Sequence, residues 1–399
     1  MKIKIKLIRT AEQATSAQVV ASNDDLLTEI LLCLPTTSLI RFKLVSKHWH
    51  CLITNPKFCH LRNPNPNPAL GLLMPCTNFG INPWFEYVPF SVQNPTNPPF
   101  RKLKFTKVPS GISIVQSCNG LLLCSSFRPR DHNRMYYVYN PTTKHFSTLP
   151  KPDQETGIRK KICGMSLAFD PAKSSHYKVV CVQQLELDLG EYEYQIEVYS
   201  SETGPWKVPS QPFTAEANFE KGVYWNGSIH WVGNGTFESL YFIIDEERLE
   251  TLPMPPIPDG WEWRSNYYFG ESCGHLNFIE TFGPQIQFNI YELKRDYSEW
   301  FVKYQVDLSP LVTAFPGMIR SGLNPTDWYY YALSIFCLIR GEKDEDSFLV
   351  LQIPGKAIRY NLAYKTFKKL IDFEGAEVED SLRFSWTNGF QHIESLCCV

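Results

Sequence analysis

The sequence predicts a small all-α module followed by a large all-β domain, built as a β-propeller of six to eight blades. Three observations carry this reading. Apolar residues from Ser22 to Arg62 fall at helical spacing, the texture changes sharply after a run of alternating asparagine and proline, and beyond that run one strand-turn-strand pattern keeps returning. At 399 residues the chain exceeds what one ordinary core supports, so two domains of unequal size is the natural division.

Residues 22–62 read SNDDLLTEILLCLPTTSLIRFKLVSKHWHCLITNPKFCHLR. Leu26, Leu27, Ile30, Leu31 and Leu34 form one stripe. Ser22 or Asn23 suits the N-cap, and Asp24, Asp25 and Glu29 set negative charge where the helix dipole favours it. Pro35 stops or bends this helix. Thr36 or Thr37 is expected to cap a second one, with Leu39, Phe42, Val45, Trp49 and Ile53 continuing an apolar face and Ser46 able to restart the helix mid-run. Asn55-Pro56 opens a last short helix through Phe58 and Leu61. A unit of about forty residues is marginal without a partner, so some of this surface is either an interface or a docking face for the rest of the chain. Periodicity alone leaves both open.

Asn63-Pro64-Asn65-Pro66-Asn67-Pro68 admits neither helix nor central strand, because proline removes donors and pushes each preceding residue out of the helical region. Residues 63–69 therefore read as a stiff linker, and residues 1–21 as a disordered tail. From residue 70 to 399 short runs rich in Val, Ile, Tyr, Phe and Trp alternate with Gly, Asn and Pro. Tyr224-Trp225-Asn226-Gly227-Ser228-Ile229-His230-Trp231 reads as a hairpin with Asn-Gly at its turn, repeated through Cys273-Gly274-His275-Leu276 and begun earlier by Asn119-Gly120-Leu121-Leu122. A second element, an aromatic strand, a polar turn and a further strand, begins at Tyr136, Ile196, Tyr241, Phe288 and Ile358. Intervals near 45 residues suit propeller blades, whose radial repetition shelters sheet edges; a pair of β-sandwiches is the alternative.

Two resemblances join these readings. NDDLLTEILLCLP followed by SLIRFKLVSKHW resembles an F-box, departing only at Asn23-Asp24, where many members carry Leu-Pro. SCNGLLLC, VYNPTTKHFSTLP, LAFDPAKSSHYKVV and FSWTNGFQHIESLCCV are similar to the F-box-associated domain of plant F-box and kelch-type proteins. The first resemblance implies that residues 22–62 bind a Skp-family adaptor through Leu26, Leu27, Ile30, Leu31, Leu34, Pro35 and Leu39, with Val45, Trp49 and Ile53 holding the helices together. Through the adaptor it implies cullin and RING subunits. The second implies that residues 70–399 bind a target protein, the whole being the substrate-recognition subunit of an SCF-type ubiquitin ligase. A free-standing propeller, lectin-like or a protein scaffold, is the alternative.

Composition narrows the field further. A formal charge of -2 gives no footprint for nucleic acid or anionic membrane, and no apolar run is long enough to span a bilayer. The protein is expected inside the cell, in nucleus or cytoplasm. Its 12 cysteines include no Cys-x-x-Cys pair, which argues against a zinc ribbon, a RING or a thioredoxin-like site. Gly270-Glu271-Ser272-Cys273-Gly274 fits the nucleophile-elbow pattern, but the elbow needs a helix next, and His275-Leu276-Asn277-Phe278 alternates like a strand. His48, His50 and Cys51 read as solvated side chains, and Cys397-Cys398 as packed or exposed thiols. No catalytic residue, metal or cofactor is expected. Target contacts belong on loops at one propeller face: Arg128–Arg134, Leu185–Glu193, Asn234–Glu238, Trp261–Trp263 and Leu311–Asp327. Arg130, Trp261, Trp263 and Arg264 are the expected anchors, since Trp and Arg dominate interface energetics.

Overall fold

The computed structural model describes residues 19–20, 22–62, 69–76, 83–91, 98–108, 111–126, 134–152, 160–186, 192–233, 238–261, 264, 266–373, 382 and 389–399. The chain divides into two compact units, Met1–Pro64 and Asn65–Val399.

The first unit contains α1 (Asp24–Leu32), α2 (Thr36–Phe42), α3 (Lys47–Thr54) and α4 (Pro56–Arg62). Asn23 caps α1, its side chain accepting from the N–H groups of Asp25 and Leu26 at 3.1 Å each. Ser46 caps α3 through the Trp49 N–H at 3.1 Å, and the Asn55 side chain accepts from the Lys57 N–H at 2.8 Å. The cap of α2 differs from expectation. Pro35 holds that position without a side-chain bond, and Thr36 is buried inside the first turn, where its hydroxyl accepts from Arg62. Arg62 also donates to the Leu32 carbonyl, tying the last helix to the end of the first. Leu27, Leu31, Leu39, Ile53, Phe58 and Cys59 are buried, and Phe42 meets Trp49 edge-on at 5.2 Å. Val45 is not part of this core. The chain leaves helical geometry between Phe42 and Lys47, so the helical period breaks there and Val45 is 60% exposed.

Among the described residues, the second unit comprises six antiparallel sheets and forms a six-bladed β-propeller. Five sheets take four strands each in chain order. They are β3 to β6 (Ile112–Cys118, Leu121–Ser126, Tyr136–Asn140, His145–Thr148) and β7 to β10 (Lys160–Ala168, Lys178–Glu186, Tyr192–Ser200, Gly204–Lys207). Next come β11 to β14 (Val223–Trp225, Ser228–Trp231, Ser239–Ile243, Arg248–Leu252), then β15 to β18 (Asn266–Ser272, His275–Thr281, Gln287–Leu293, Trp300–Asp307). The last are β19 to β22 (Ser334–Ile339, Phe348–Ile353, Lys356–Asn361, Phe367–Asp372). The sixth sheet joins both ends of the unit: β1 (Gly71–Cys76) lies between β2 (Trp84–Pro89) and β23 (Phe390–His392). Gly71, Leu72 and Leu73 pair with His392, Gln391 and Phe390, closing the ring.

The strand-turn-strand elements beginning at Tyr136, Ile196, Tyr241, Phe288 and Ile358 are the third and fourth strands of the five complete blades. In their turns one position is left-handed each time: Lys144, Gly204, Glu247, Tyr297 and Lys365. The Asn119-Gly120, Asn226-Gly227 and Cys273-Gly274 turns join first to second strands with positive φ at both residues, as a tight hairpin requires. The first strands of the five complete blades, with β23 of the sixth sheet, stand around the centre, and apolar cores fill the space between neighbouring blades. One core sets Val180, Val182 and Ile196 against Ile229, Trp231 and Phe242. Gly164 marks a close approach: a Cβ there would lie 2.0 Å from the Phe219 carbonyl oxygen. Gly164→Val is therefore expected to cost about 3 kcal/mol, read as a lower urea midpoint with unchanged slope.

His230 makes the propeller acid-sensitive. Its ring is stacked with Tyr241 and Tyr297, Nδ1–H donates to the Val223 carbonyl at 3.1 Å, and Nε2 accepts from the Tyr297 hydroxyl at 3.0 Å. Burial pushes its pKa down to about 4. A histidine depressed in the folded state contributes stability that is intact above its unfolded value, near 6.5, and drains as pH falls toward the folded value. Glu271 and Glu280, which burial raises to about 7, act in the opposite sense, losing their contribution as pH rises. Comparison with His230→Phe isolates the histidine. Between pH 7.5 and 5 the parent is expected to lose about 2 kcal/mol more than the variant by urea unfolding.

Candidate functional site

Each unit presents one candidate surface. In the helical unit, Leu27 and Leu31 turn inward from α1 while Leu26 and Ile30, one step round the helix, turn outward at 47% and 49% exposure. Pro35 is exposed, Leu34 half-buried and Leu39 fully buried. Leu44 and Val45, on the turn after α2, are also exposed. Apolar side chains this exposed on so small a unit mark a surface that gains by being covered.

In the propeller, strand direction sorts the connections. First-to-second and third-to-fourth turns lie on one face and are mostly short. Second-to-third and fourth-to-first connections lie on the other and include the long ones. Every loop expected to contact a target joins strand ends on the long-connection face. Gly71, where the chain joins β1, lies on the opposite face, level with His392. Arg130 and Trp263 lie outside the described residues, as do residues 127–133, 187–191, 234–237 and 262–263 of the expected loops.

Trp261 and Arg264 have separate fates. The Trp261 ring packs edge-on against Trp328 at 5.0 Å and at a tilt against Phe282 at 5.6 Å, joining three connections into one aromatic cluster, with exposed Tyr329 next in the chain. Helix α5 (Ser309–Ala314) lies in the same β18–β19 connection, and Arg320 donates to the Tyr329 carbonyl at 2.7 Å, fastening the loop. Arg264 is turned inward. Its guanidinium pairs with Glu280, donates to the Pro255 carbonyl and lies 5.4 Å over the Phe278 ring. It holds the β14–β15 connection against β16 and has little left to offer a partner.

A cavity of about 700 Å³ occupies the centre, with wall residues from the innermost strand of each sheet, β3, β7, β11, β15, β19 and β23. Ser272 of the Gly-x-Ser-x-Gly pattern sits beside it in the β15–β16 hairpin, paired with His275 across the turn. No helix follows, and the Ser272 hydroxyl, 3% exposed, accepts from the Arg340 N–H at 3.0 Å. That geometry is not a nucleophile elbow. His48 is paired with Asp24 at 3.1 Å on the surface.

Comparison with known protein families matches residues 23–61 to the F-box domain and residues 88–258 to the F-box associated beta propeller domain. Over 97% of its length the chain is 38% identical to F-box protein At5g07610 of Arabidopsis thaliana, covering 94% of that protein. This chain belongs to the F-box protein family. Two further Arabidopsis thaliana relatives are F-box protein At5g49610, 24% identical over 74% of this chain and 81% of its own length, and putative F-box/kelch-repeat protein At3g17540, 29% identical over 57% of each. An F-box implies a Skp-family adaptor as partner.

Within the F-box, the seven expected adaptor contacts fall into two groups. Leu26, Ile30, Leu34 and Pro35 are accessible, whereas Leu27, Leu31 and Leu39 are spent on holding the F-box helices together. Exposed Leu44 was missed; the capping residue Ser46, which restarts the helix two positions later, was its signal. Trp328 and Phe282 were also missed, because only the folded loops bring them to Trp261.

Proposed function

We propose that this F-box protein is the substrate-recognition subunit of an SCF-type ubiquitin ligase, docking a Skp-family adaptor on its helices and a target protein on the propeller. The observation that carries this is the outward pair Leu26 and Ile30 on a folded F-box, in a chain whose propeller separately carries an aromatic cluster on its long-connection face. Leu34 and Pro35 extend the adaptor surface, and Leu27, Leu31 and Leu39 support it from beneath. Cullin and RING subunits then join through the adaptor. Catalysis is borrowed: the protein raises the effective concentration of target lysines at a charged ubiquitin-conjugating enzyme. Action in nucleus or cytoplasm belongs to this reading; among the described residues no helix is long and apolar enough to cross a membrane.

Trp261 and Trp328 are the target anchors of this reading. Their replacement together by alanine is expected to lower target capture about tenfold or more while adaptor capture is unchanged. The ligase reading is tested by affinity capture of the tagged chain from plant extract. Adaptor, cullin and RING should be recovered together; recovery of none of them would favour a propeller acting alone.

A further inference from the structure

We propose that the central cavity of the propeller is a binding site for a compact arylalkylammonium ion, its ammonium at Glu271 and its ring against Tyr224. The cavity, at about 700 Å³, has the size of a small-molecule site, with aromatic walls and few charged groups. Glu271 is the charge that lacks a counterpart. It lies one residue from the short-turn end of β15 and accepts the Gly274 N–H at 2.7 Å. None of the ion pairs among the described residues includes it. The nearby His275 is committed to Glu292 at 2.7 Å, and Asp170 adds further negative potential.

Burial raises the Glu271 carboxyl to about 7, the behaviour of an acid in a recess with no cation beside it. An ammonium ion would supply that cation. Tyr224, half-buried in the same wall and close enough to feel the Glu271 charge, is the aromatic residue an ammonium-bearing ring would meet. The other cavity-lining charges, Arg134, Lys221 and Glu220, precede β5 and β11 at the long-connection end, so the rim carries both signs and the floor is acidic. A carboxylate ligand would meet repulsion where the ammonium meets attraction. This assignment concerns the second unit alone and stands whether or not the ligase reading holds.

The test uses the full chain, with tryptamine as probe and indole-3-propionate as its charge-reversed counterpart, read by thermal shift and titration calorimetry. Tryptamine should raise the melting temperature by several degrees at millimolar concentration, indole-3-propionate should not, and Glu271→Gln should weaken tryptamine about tenfold or more. Glutamine keeps an acceptor for the Gly274 N–H and mimics the neutral acid, so the variant is expected to fold. Should it not fold, Tyr224→Leu, which removes one ring, must weaken tryptamine in its place. No shift with tryptamine, equal binding of the two probes, or unchanged affinity in the folded variant overturns the proposal.

Discussion

Replacing Leu26 and Ile30 together by aspartate is expected to abolish adaptor capture while leaving the F-box helices intact. The two side chains sit one helical turn apart on the outer side of α1, each about half exposed, so charge there meets water and not the core. Covering them with a partner removes the remaining apolar area, worth about 1 kcal/mol each, and the variant would bury two carboxylates instead, at a cost of several kcal/mol. A loss of more than about 4 kcal/mol is a drop of about a thousandfold in affinity. Leu27→Asp and Leu31→Asp should also lose capture, for another reason: both side chains are buried, at 3% and 0% exposure, and their substitution unfolds the unit. Limited proteolysis of residues 22–62 in the full-length parent and in each full-length variant separates the two causes, the Leu26→Asp, Ile30→Asp pair cutting like the parent and the Leu27→Asp and Leu31→Asp variants faster.

Ending the chain at Gly389 is expected to destroy the cooperative folding of the propeller. The ten missing residues include β23, whose pairing with Gly71, Leu72 and Leu73 closes the ring, and the buried side chains of Leu396 and Cys397. They also include the carbonyls of Ser395 and Cys397, to which the fully buried Asn140 side chain donates at 3.0 Å and 2.7 Å. Without them β1 becomes an open edge on the central cavity, a template for misassembly. The expected readout is insoluble protein or a broad, non-cooperative urea transition. Asn140→Ala provides the graded version. It leaves the strand in place but removes both tail contacts and the acceptor for the Thr142 and Thr143 N–H groups, and should cost about 2 to 3 kcal/mol.

Local chemistry was the part of this fold that could be read in advance. Asn-Gly hairpins, the recurring aromatic strand with its polar turn, and the caps at Asn23, Ser46 and Asn55 depend on neighbours a few residues away, and each appears where its residues point. Blade number was not legible, because the sixth blade is divided between residues 71–89 and 390–392 and never shows a repeat period. The division of the α1 leucines was hidden for a related reason. A stripe of five apolar positions is wider than the face a small unit can bury, and only the packed helices decide that Leu27 and Leu31 go inside. Arg264 and Trp261, three positions apart in sequence, separated because a carboxylate on β16 and a carbonyl earlier in the same connection claimed the arginine. The cavity wall is assembled from strands spread over the whole second unit, so nothing local announces it.

The central claim is that the F-box surface around Leu26 and Ile30 holds a Skp-family adaptor. Co-expression of the full chain with a plant adaptor, followed by affinity capture and size-exclusion chromatography, addresses it directly. A one-to-one complex that the Leu26→Asp, Ile30→Asp pair dissolves, with the propeller's unfolding transition unchanged, is the predicted result. A soluble chain that elutes apart from the adaptor, or a complex that survives both substitutions, would contradict it.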